Sequence, residues 1–101
     1  MNKNSFKENT RYTITYRDET GKLRPENIYV FKLHDEYMIA RFTDRSAELC
    51  KIPYQNVIKI VKTIEVPPSA QFMVPSELLS KQNWQDKTCM KVYGSSPRVG
   101  K

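Results

Sequence analysis

The chain has 101 residues, of which 39% are hydrophobic and 28% charged, with a formal net charge of +6 and a sequence pI of about 9.4. A chain of this length forms one domain with a modest core, and its composition excludes intrinsic disorder. The sequence has no run of eighteen apolar residues and no apolar stretch near its start, so we expect a cytoplasmic protein with no membrane contact.

After an N-terminal arm over residues 1–9, five segments have the β-branched and aromatic content of strands. They cover residues 10–17, 28–33, 37–42, 47–52 and 57–66. In the first, Tyr12, Ile14 and Tyr16 alternate with polar residues, which indicates one buried face and one solvated face. We therefore predict a β domain over residues 10–66.

The connections between these strands are short and polar. Gly21 lies in the first turn and is free to take a positive φ. Pro25 interrupts residues 23–27 and cannot donate to a ladder, so we expect a connecting loop or an irregular edge there. Three polar residues separate 28–33 from 37–42, and these two strands are predicted to pair as a hairpin.

Pro53 is predicted to end the fourth strand, and residues 54–56 to form one 3₁₀ turn before the fifth. Period-two alternation in the fifth strand puts its apolar residues on one face, and these are Ile58, Ile60, Ile64 and Val66. The predicted core combines inward residues of all the strands: Tyr12, Ile14, Tyr16, Phe31 or Val30, Ile39, Ile52, Ile58 and Ile60.

Two consecutive prolines then end the β-rich part, and residues 67–93 are predicted to be a C-terminal extension. Within it, residues 75–82 are predicted to form a short helix with Ser76 as its N-cap. Trp84 is expected to plug the barrel mouth or to dock this helix. The chain ends in two further predicted segments, a candidate strand over 88–93 and a mobile tail over 94–101.

Five strands over residues 10–66 favour a small barrel over a sandwich of seven or more strands. The predicted fold class is mainly β: a small five-stranded barrel with a short C-terminal helix and a mobile tail. Ile52-Pro53, followed by Val57 to Val61, resembles the end of SH3-like (Sm-like) barrels, in which a 3₁₀ turn links the last two strands.

A wider pattern over residues 12–61 resembles the layout of WYL domains, which are small barrels found in bacterial regulators. It rests on three groups of residues: Ile14 to Asp18 with Gly21, Tyr37 to Ala40, and Ile52 with Ile58 to Ile60. Glu36-Tyr37-Met38 stands where the WYL tripeptide lies in that family. The resemblance implies a regulatory or nucleic-acid-linked role.

Cys50 and Cys89 are the two cysteines. Two distant thiols and a single histidine lack the close spacing of a zinc ligand set, so we predict no metal. In a cytoplasmic protein both thiols are expected to be reduced. A bridge between them stays open at this point, because only geometry decides it.

No group of residues has the spacing of a catalytic or cofactor site. His34, Asp35 and Glu36 are consecutive in a predicted hairpin turn, where solvation explains them better than acid–base chemistry. The three glycines are far apart and form no phosphate-binding loop. We therefore predict no enzymatic activity, no cofactor and no small-molecule substrate.

Surface recognition remains, and two kinds of partner are open. For nucleic acid, exposed cations would neutralise phosphates while tyrosines stack on bases. The candidate residues for this role are Arg11, Arg17, Arg41, Arg45, Lys59, Lys62 and Tyr54. For a protein partner, a barrel edge or the 67–84 segment would dock onto another chain. The candidate contacts for that role are Phe72, Leu78 and Trp84. A contiguous basic stripe across several strands would favour nucleic acid.

Overall fold

The computed structural model describes residues 1–44, 48–71, 74–85 and 89–91. Two predicted contact residues, Arg45 and Phe72, lie outside the described residues, as does the predicted tail over 94–101. Every structural statement below concerns the described part of the chain.

The fold is mainly β and antiparallel. Its six strands are β1 (Thr10–Arg17), β2 (Leu23–Leu33), β3 (Tyr37–Phe42), β4 (Glu48–Pro53), β5 (Val57–Glu65) and β6 (Cys89–Lys91). The order across the sheet is β5-β1-β2-β3-β4-β6. The first five strands form an open sheet, and the three-residue β6 pairs with the edge of β4. In the described ranges no ladder joins β5 to β4 or β6, so the sheet does not close into a barrel there.

Several local predictions are confirmed. β1 has the predicted bounds, β2 and β3 pair as a hairpin, and Tyr54–Asn56 forms a 3₁₀ turn between β4 and β5. Gly21 has a φ of 86° in the β1–β2 turn. The Asp18 carboxylate supports this turn by accepting hydrogen bonds from the backbone N–H groups of Thr20 and Lys22, both at 2.9 Å.

Residues 23–27 were predicted to form a connecting loop or an irregular edge, and the loop alternative was wrong, because β2 already begins at Leu23. Pro25 lies opposite Thr15 of β1, whereas the pairing of β2 with β3 starts only at Ile28. Pro25 therefore occupies a stretch of strand with a ladder on one side, where a missing N–H is tolerated.

The main core lies on one side of the sheet, here called the inner face. Its buried residues come from all five long strands, the 3₁₀ turn and the N-terminal arm: Phe6, Tyr12, Ile14, Ile28, Val30, Met38, Ala40, Phe42, Cys50, Ile52, Tyr54 and Val57. Phe6 was missed by sequence reasoning because it stands alone in a polar arm. Its ring packs edge-on against Tyr12, with ring centroids 5.0 Å apart, and thereby fixes the arm to the core.

A second apolar cluster lies on the opposite side, the outer face. It contains Tyr29, Phe31, Ile39, Leu49 and Trp84, with residues of the 66–79 segment packed against it. The prediction that Ile39 belongs to the main core was therefore wrong. Of the two predicted alternatives Phe31 and Val30, Val30 is the one that lies in the main core. Both faces of the β2–β4 part of the sheet are covered, which explains why β2 and β3 are apolar at consecutive positions rather than alternating.

The predicted short helix over 75–82 was wrong as well. Two 3₁₀ helices, Ser76–Leu79 and Lys81–Trp84, take its place, and the described residues contain no α-helix. Pro75, not Ser76, occupies the cap position of the first, and no side chain caps it. The segment is instead held by packing and by contacts to the sheet, because it is too short to be stable alone.

Trp84 anchors this segment. Its side chain is 0% exposed, and its indole Nε1 donates to the carbonyl of Leu78 at 2.7 Å. Two side chains hold the backbone nearby: Lys51 Nζ of β4 donates to the Trp84 carbonyl at 2.8 Å, and His34 Nε2, in the β2–β3 turn, lies 2.8 Å from the Leu79 carbonyl. Since a carbonyl only accepts, the Nε2 nitrogen carries the proton. His34 therefore fixes the extension to the sheet.

β5 departs from the predicted alternation. Its pairing with β1 skips one residue between Lys62 and Ile60 and another between Lys59 and Val57. The skipped residues are Val61 and Ile58, each the extra residue of a β-bulge. As a result Val57 faces the core with 2% exposure, whereas Ile58 is 37% exposed. The prediction that Ile58 is a core residue was wrong, while Ile60 packs against the core half-buried.

Candidate nucleic-acid interface

The outer face of β1 carries two arginines. Because Tyr12 and Ile14 are buried on the inner face, the alternating residues Arg11 and Arg17 point to the outer face, and both are exposed. The two arginines are six positions apart, which corresponds to about 20 Å along a strand. The side chains between them on this face, Thr13 and Thr15, are neutral.

β5 adds two lysines to the same face. Lys62 lies opposite Thr13, and Lys59 lies opposite Thr15, and residues directly opposite in antiparallel strands share a face. In a regular strand, residues 59 and 62 would point to opposite faces. The bulge at Val61 places both lysines on the outer face. The sequence pattern did not reveal this, because it contains no signal for the bulge.

β3 contributes a further cation. Arg11 pairs with Tyr29 of β2, and Tyr29 pairs with Arg41 of β3, so the three residues form one row across the sheet. Burial lowers the pKa of the half-buried Arg41, and the neighbouring positive charge of Arg11 lowers it further. Arg41 remains a cation at neutral pH, because an arginine side chain titrates only under strongly alkaline conditions.

These five residues, Arg11, Arg17, Arg41, Lys59 and Lys62, are called the outer basic face. They come from three strands and lie beside the part of the outer face that the C-terminal segment covers. A cavity of about 390 Å³ opens at one end of this face, lined by Arg11, Arg41, Thr43 and residues 64–67 among others.

Few carboxylates oppose these charges. The outward residues of β2 next to β1 are Leu23, Pro25, Asn27 and Tyr29, all of them uncharged. Two acids lie at the margin of the face. Glu65 lines the cavity, and Asp44 accepts a hydrogen bond from the Asn27 side chain at 3.1 Å. The face therefore keeps a net positive charge.

Neither Tyr54, the tyrosine predicted to stack on bases, nor Tyr29, which lies between Arg11 and Arg41, offers an exposed ring on this face. Tyr54 is 3% exposed on the inner face, and its hydroxyl donates to the His34 carbonyl at 2.6 Å. Burial, assisted by the charges of Asp35 and Glu8, raises the pKa of Tyr54 to about 12. Tyr29 is also fully buried, and its hydroxyl donates to Asn9 Oδ1 at 3.0 Å. Neither ring is accessible to a base.

Two of the residues predicted for protein contact, Trp84 and Leu78, are engaged within the chain. Trp84 is buried, and Leu78 packs half-buried against the same cluster. Of the five exposed large apolar residues in the described part of the chain, three lie on the edge strand β5, at Ile58, Val61 and Ile64, and the other two are Met1 and Leu23. Bulges and lysines along an edge strand hinder the addition of another strand, and β5 carries both.

An open cavity of about 740 Å³ lies at the inner face, between the β1–β2 turn and β4. Four acidic residues line it, Asp18, Glu19, Glu26 and Glu48, together with Arg24. Asp18 is engaged in the turn and forms an ion pair with Arg24 at 3.1 Å. A hydrogen bond from the Thr20 side chain, with the backbone bonds and Arg24, lowers the pKa of Asp18. This carboxylate therefore serves the turn.

Comparison of the chain with family models, curated proteins and solved structures gives no match. Among the described residues, no helix is long and apolar enough to cross a membrane. The functional assignment therefore depends on the arrangement of the chain's own residues.

Proposed function

We propose that this protein is a non-enzymatic binding module that engages the phosphate backbone of nucleic acid through its outer basic face. The observation that carries this proposal is the strand register, which gathers cations of β1, β3 and β5 on one side of the sheet. Cations that each neutralise a phosphate release condensed counterions, and this release dominates non-specific binding.

The expected binding has little sequence specificity. Base reading requires hydrogen bonds to base edges or stacking on exposed rings, and Tyr54 and Tyr29 are buried. Backbone contacts from arginine and lysine position a nucleic acid without reading its sequence. The exposed side chains of Leu23 and Val61 flank the cations and provide apolar contact to sugars and bases.

We also propose that the sheet is a variant of the SH3-like fold. Two features support this: the strand order β5-β1-β2-β3-β4, and the 3₁₀ turn Tyr54–Asn56 that links the last two of these strands. The 3₁₀ turn is the feature on which the SH3-like resemblance of the sequence rests. The regulatory role implied by the WYL-like pattern is compatible with a module that binds nucleic acid and performs no chemistry.

The test is fluorescence anisotropy with labelled mixed-sequence single strands and duplexes at low salt. The variant Arg11→Glu with Arg17→Glu reverses two charges on the outer basic face. The matched control, Lys3→Glu with Lys7→Glu, makes the same change in net charge within the N-terminal arm, which Phe6 attaches to the inner face. Breaking the exposed ion pair of Lys3 with Asp35 has little effect on stability.

We expect the Arg11/Arg17 variant to bind on the order of tenfold more weakly or worse, with an unchanged melting temperature. The control variant should lose much less affinity. Equal losses in the two variants would show that net charge alone matters and would refute the assignment to this face.

A protein partner is the second candidate, favoured by the exposed Ile58, Val61 and Ile64 on the β5 edge. An exposed apolar row on an edge strand is typical of contact with another chain. If the protein binds neither single-stranded nor duplex nucleic acid at low salt, the nucleic-acid proposal fails. The β5 edge then becomes the better candidate surface.

A further inference from the structure

The two cysteines meet where β6 joins the sheet. Cys50 of β4 and Cys89 of β6 are paired directly across the ladder, and their sulfur atoms are 3.1 Å apart. No disulfide joins them in this structure, and Cys50 is buried whereas Cys89 is exposed. They are 39 positions apart in the sequence, so no local constraint of the chain produces this contact.

We propose that Cys50 and Cys89 form a redox modification site whose product is an intramolecular disulfide. Directly opposed residues of antiparallel strands have Cβ atoms about 4.5–5.5 Å apart, and a disulfide needs about 3.5–4.5 Å. The strands are thus already near the geometry of the bond. β6 has only three residues, so a small shift of that strand closes the remaining distance.

A peroxide is the class of oxidant that fits the difference in exposure. The exposed Cys89 sulfur attacks one peroxide oxygen, which leaves Cys89 as a sulfenic acid and releases one molecule of water when the peroxide is hydrogen peroxide. The buried Cys50 sulfur then attacks the sulfenic sulfur, the S–S bond forms, and the hydroxyl leaves as a second water. Two thiols and one hydrogen peroxide thus give one disulfide and two waters. A dithiol reductant reverses the bond by thiol–disulfide exchange.

The disulfide would lie at the edge of the inner-face cavity. Cys50, Cys89 and Glu48 all line that cavity, and β6 is held to β4 by three residue pairs. A covalent link across these strands fixes β6 at the cavity wall. It also closes a long loop in the unfolded chain, which stabilises the folded state.

Metal binding is the competing explanation. One ligand atom from each of Glu48, Cys50 and Cys89 lies within 4.8 Å of the others. Zinc–sulfur bonds of about 2.3 Å in a tetrahedron place two sulfurs about 3.8 Å apart, which is wider than the observed 3.1 Å. The described residues supply only these three ligands, whereas structural zinc sites use four. The geometry therefore favours the dithiol.

The experiment treats the purified full chain, without nucleic acid, with hydrogen peroxide or with a dithiol reductant. Mass spectrometry and thiol labelling then follow the two cysteines. We expect peroxide to lower the mass of the monomer by two hydrogen atoms and to abolish labelling of both cysteines. The melting temperature should rise by on the order of 10 °C. Reductant should restore both labels. Cys50→Ser and Cys89→Ser variants should show neither the bond nor the rise.

Three results would overturn the proposal. One is peroxide treatment that leaves two labelled thiols or over-oxidises Cys89 with Cys50 unchanged. Another is a disulfide that forms only between two chains. The third is a stoichiometric zinc ion that protects both thiols and leaves on treatment with a chelator, which would establish the metal site instead. None of these results bears on the outer basic face, so the two proposals fail independently.

Discussion

Replacing Trp84 tests whether the C-terminal segment is an integral part of the domain. The indole is fully buried against the outer face, and removing a buried tryptophan side chain to alanine costs about 3–5 kcal/mol. Small domains have only about 5–15 kcal/mol of stability in total. Trp84→Ala is therefore expected to leave the fold marginal, and Trp84→Phe is the more informative variant.

Trp84→Phe keeps an aromatic ring but removes the N–H that donates to the Leu78 carbonyl. An unsatisfied buried carbonyl costs about 1–3 kcal/mol, which lowers the melting temperature by about 4–8 °C per kcal/mol in a domain of this size. The hydrogen bond from Lys51 goes to the Trp84 backbone and survives the substitution.

Circular dichroism during thermal unfolding is the appropriate assay, because the chain has a single tryptophan and the variants remove it as a fluorophore. The exposed neighbour Gln85 provides the matched control, and Gln85→Ala should change stability by less than about 0.5 kcal/mol. If Trp84→Phe and Gln85→Ala unfold at the same temperature as the unchanged protein, Trp84 does not anchor the segment, and a role in partner binding becomes the better explanation.

Two further predictions concern β5 and the inner core. Val57→Ala should destabilise the protein by about 1–2 kcal/mol while Ile58→Ala changes it by less than about 0.5 kcal/mol, as measured by urea unfolding; the reverse order would refute the bulge. In the folded protein the pKa of Tyr54 is about 12, whereas its ordinary value is 10.0. The folded state therefore binds this proton more tightly than the unfolded state, so the associated stability is complete below about pH 10 and is lost as the pH rises towards 12. Tyr54→Phe should reduce this alkaline loss in melting experiments across that range, and an unchanged pH dependence would contradict the shift.

Much of the sheet was predictable because its signals are local. Alternation of tyrosine and isoleucine predicted β1, and Pro53 followed by a polar triplet predicted the 3₁₀ turn at Tyr54–Asn56. The hairpin of β2 and β3 followed from two apolar runs separated by a short polar segment. In each case the residues that specify the element lie within it or beside it in the sequence.

The errors have a common physical cause, which is tertiary contact. An apolar residue such as Ile39 suits either face of the sheet. Only the docking of the C-terminal segment on the outer face determines that Ile39 packs with Trp84. Pro25 is compatible with a strand only where that strand is hydrogen-bonded on one side alone. Whether this holds at Pro25 depends on where the pairing of β2 with β3 begins. The β5 bulge at Ile58 places Val57 in the core and leaves Ile58 exposed, and no glycine marks this bulge in the sequence.

The candidate site shows the same limit. Arg11 and Arg17 were predictable as outward residues, because β1 alternates regularly. Lys59 and Lys62 reach the same face only through a bulge, so their grouping with the arginines required the register. Tyr54 was a plausible stacking residue by type, but its position after Pro53 turns its ring into the core.

The measurement that tests the central claim most directly is the salt dependence of nucleic-acid binding. If all five cations of the outer basic face contact phosphates, a plot of log affinity against log salt concentration should have a slope of about −4.5 for duplex DNA and about −3.5 for single strands. Arg11→Glu with Arg17→Glu should reduce the steepness by about two. A slope between zero and about −1 for the unchanged protein, or a slope that the double variant leaves the same, would contradict the claim that this face binds the phosphate backbone.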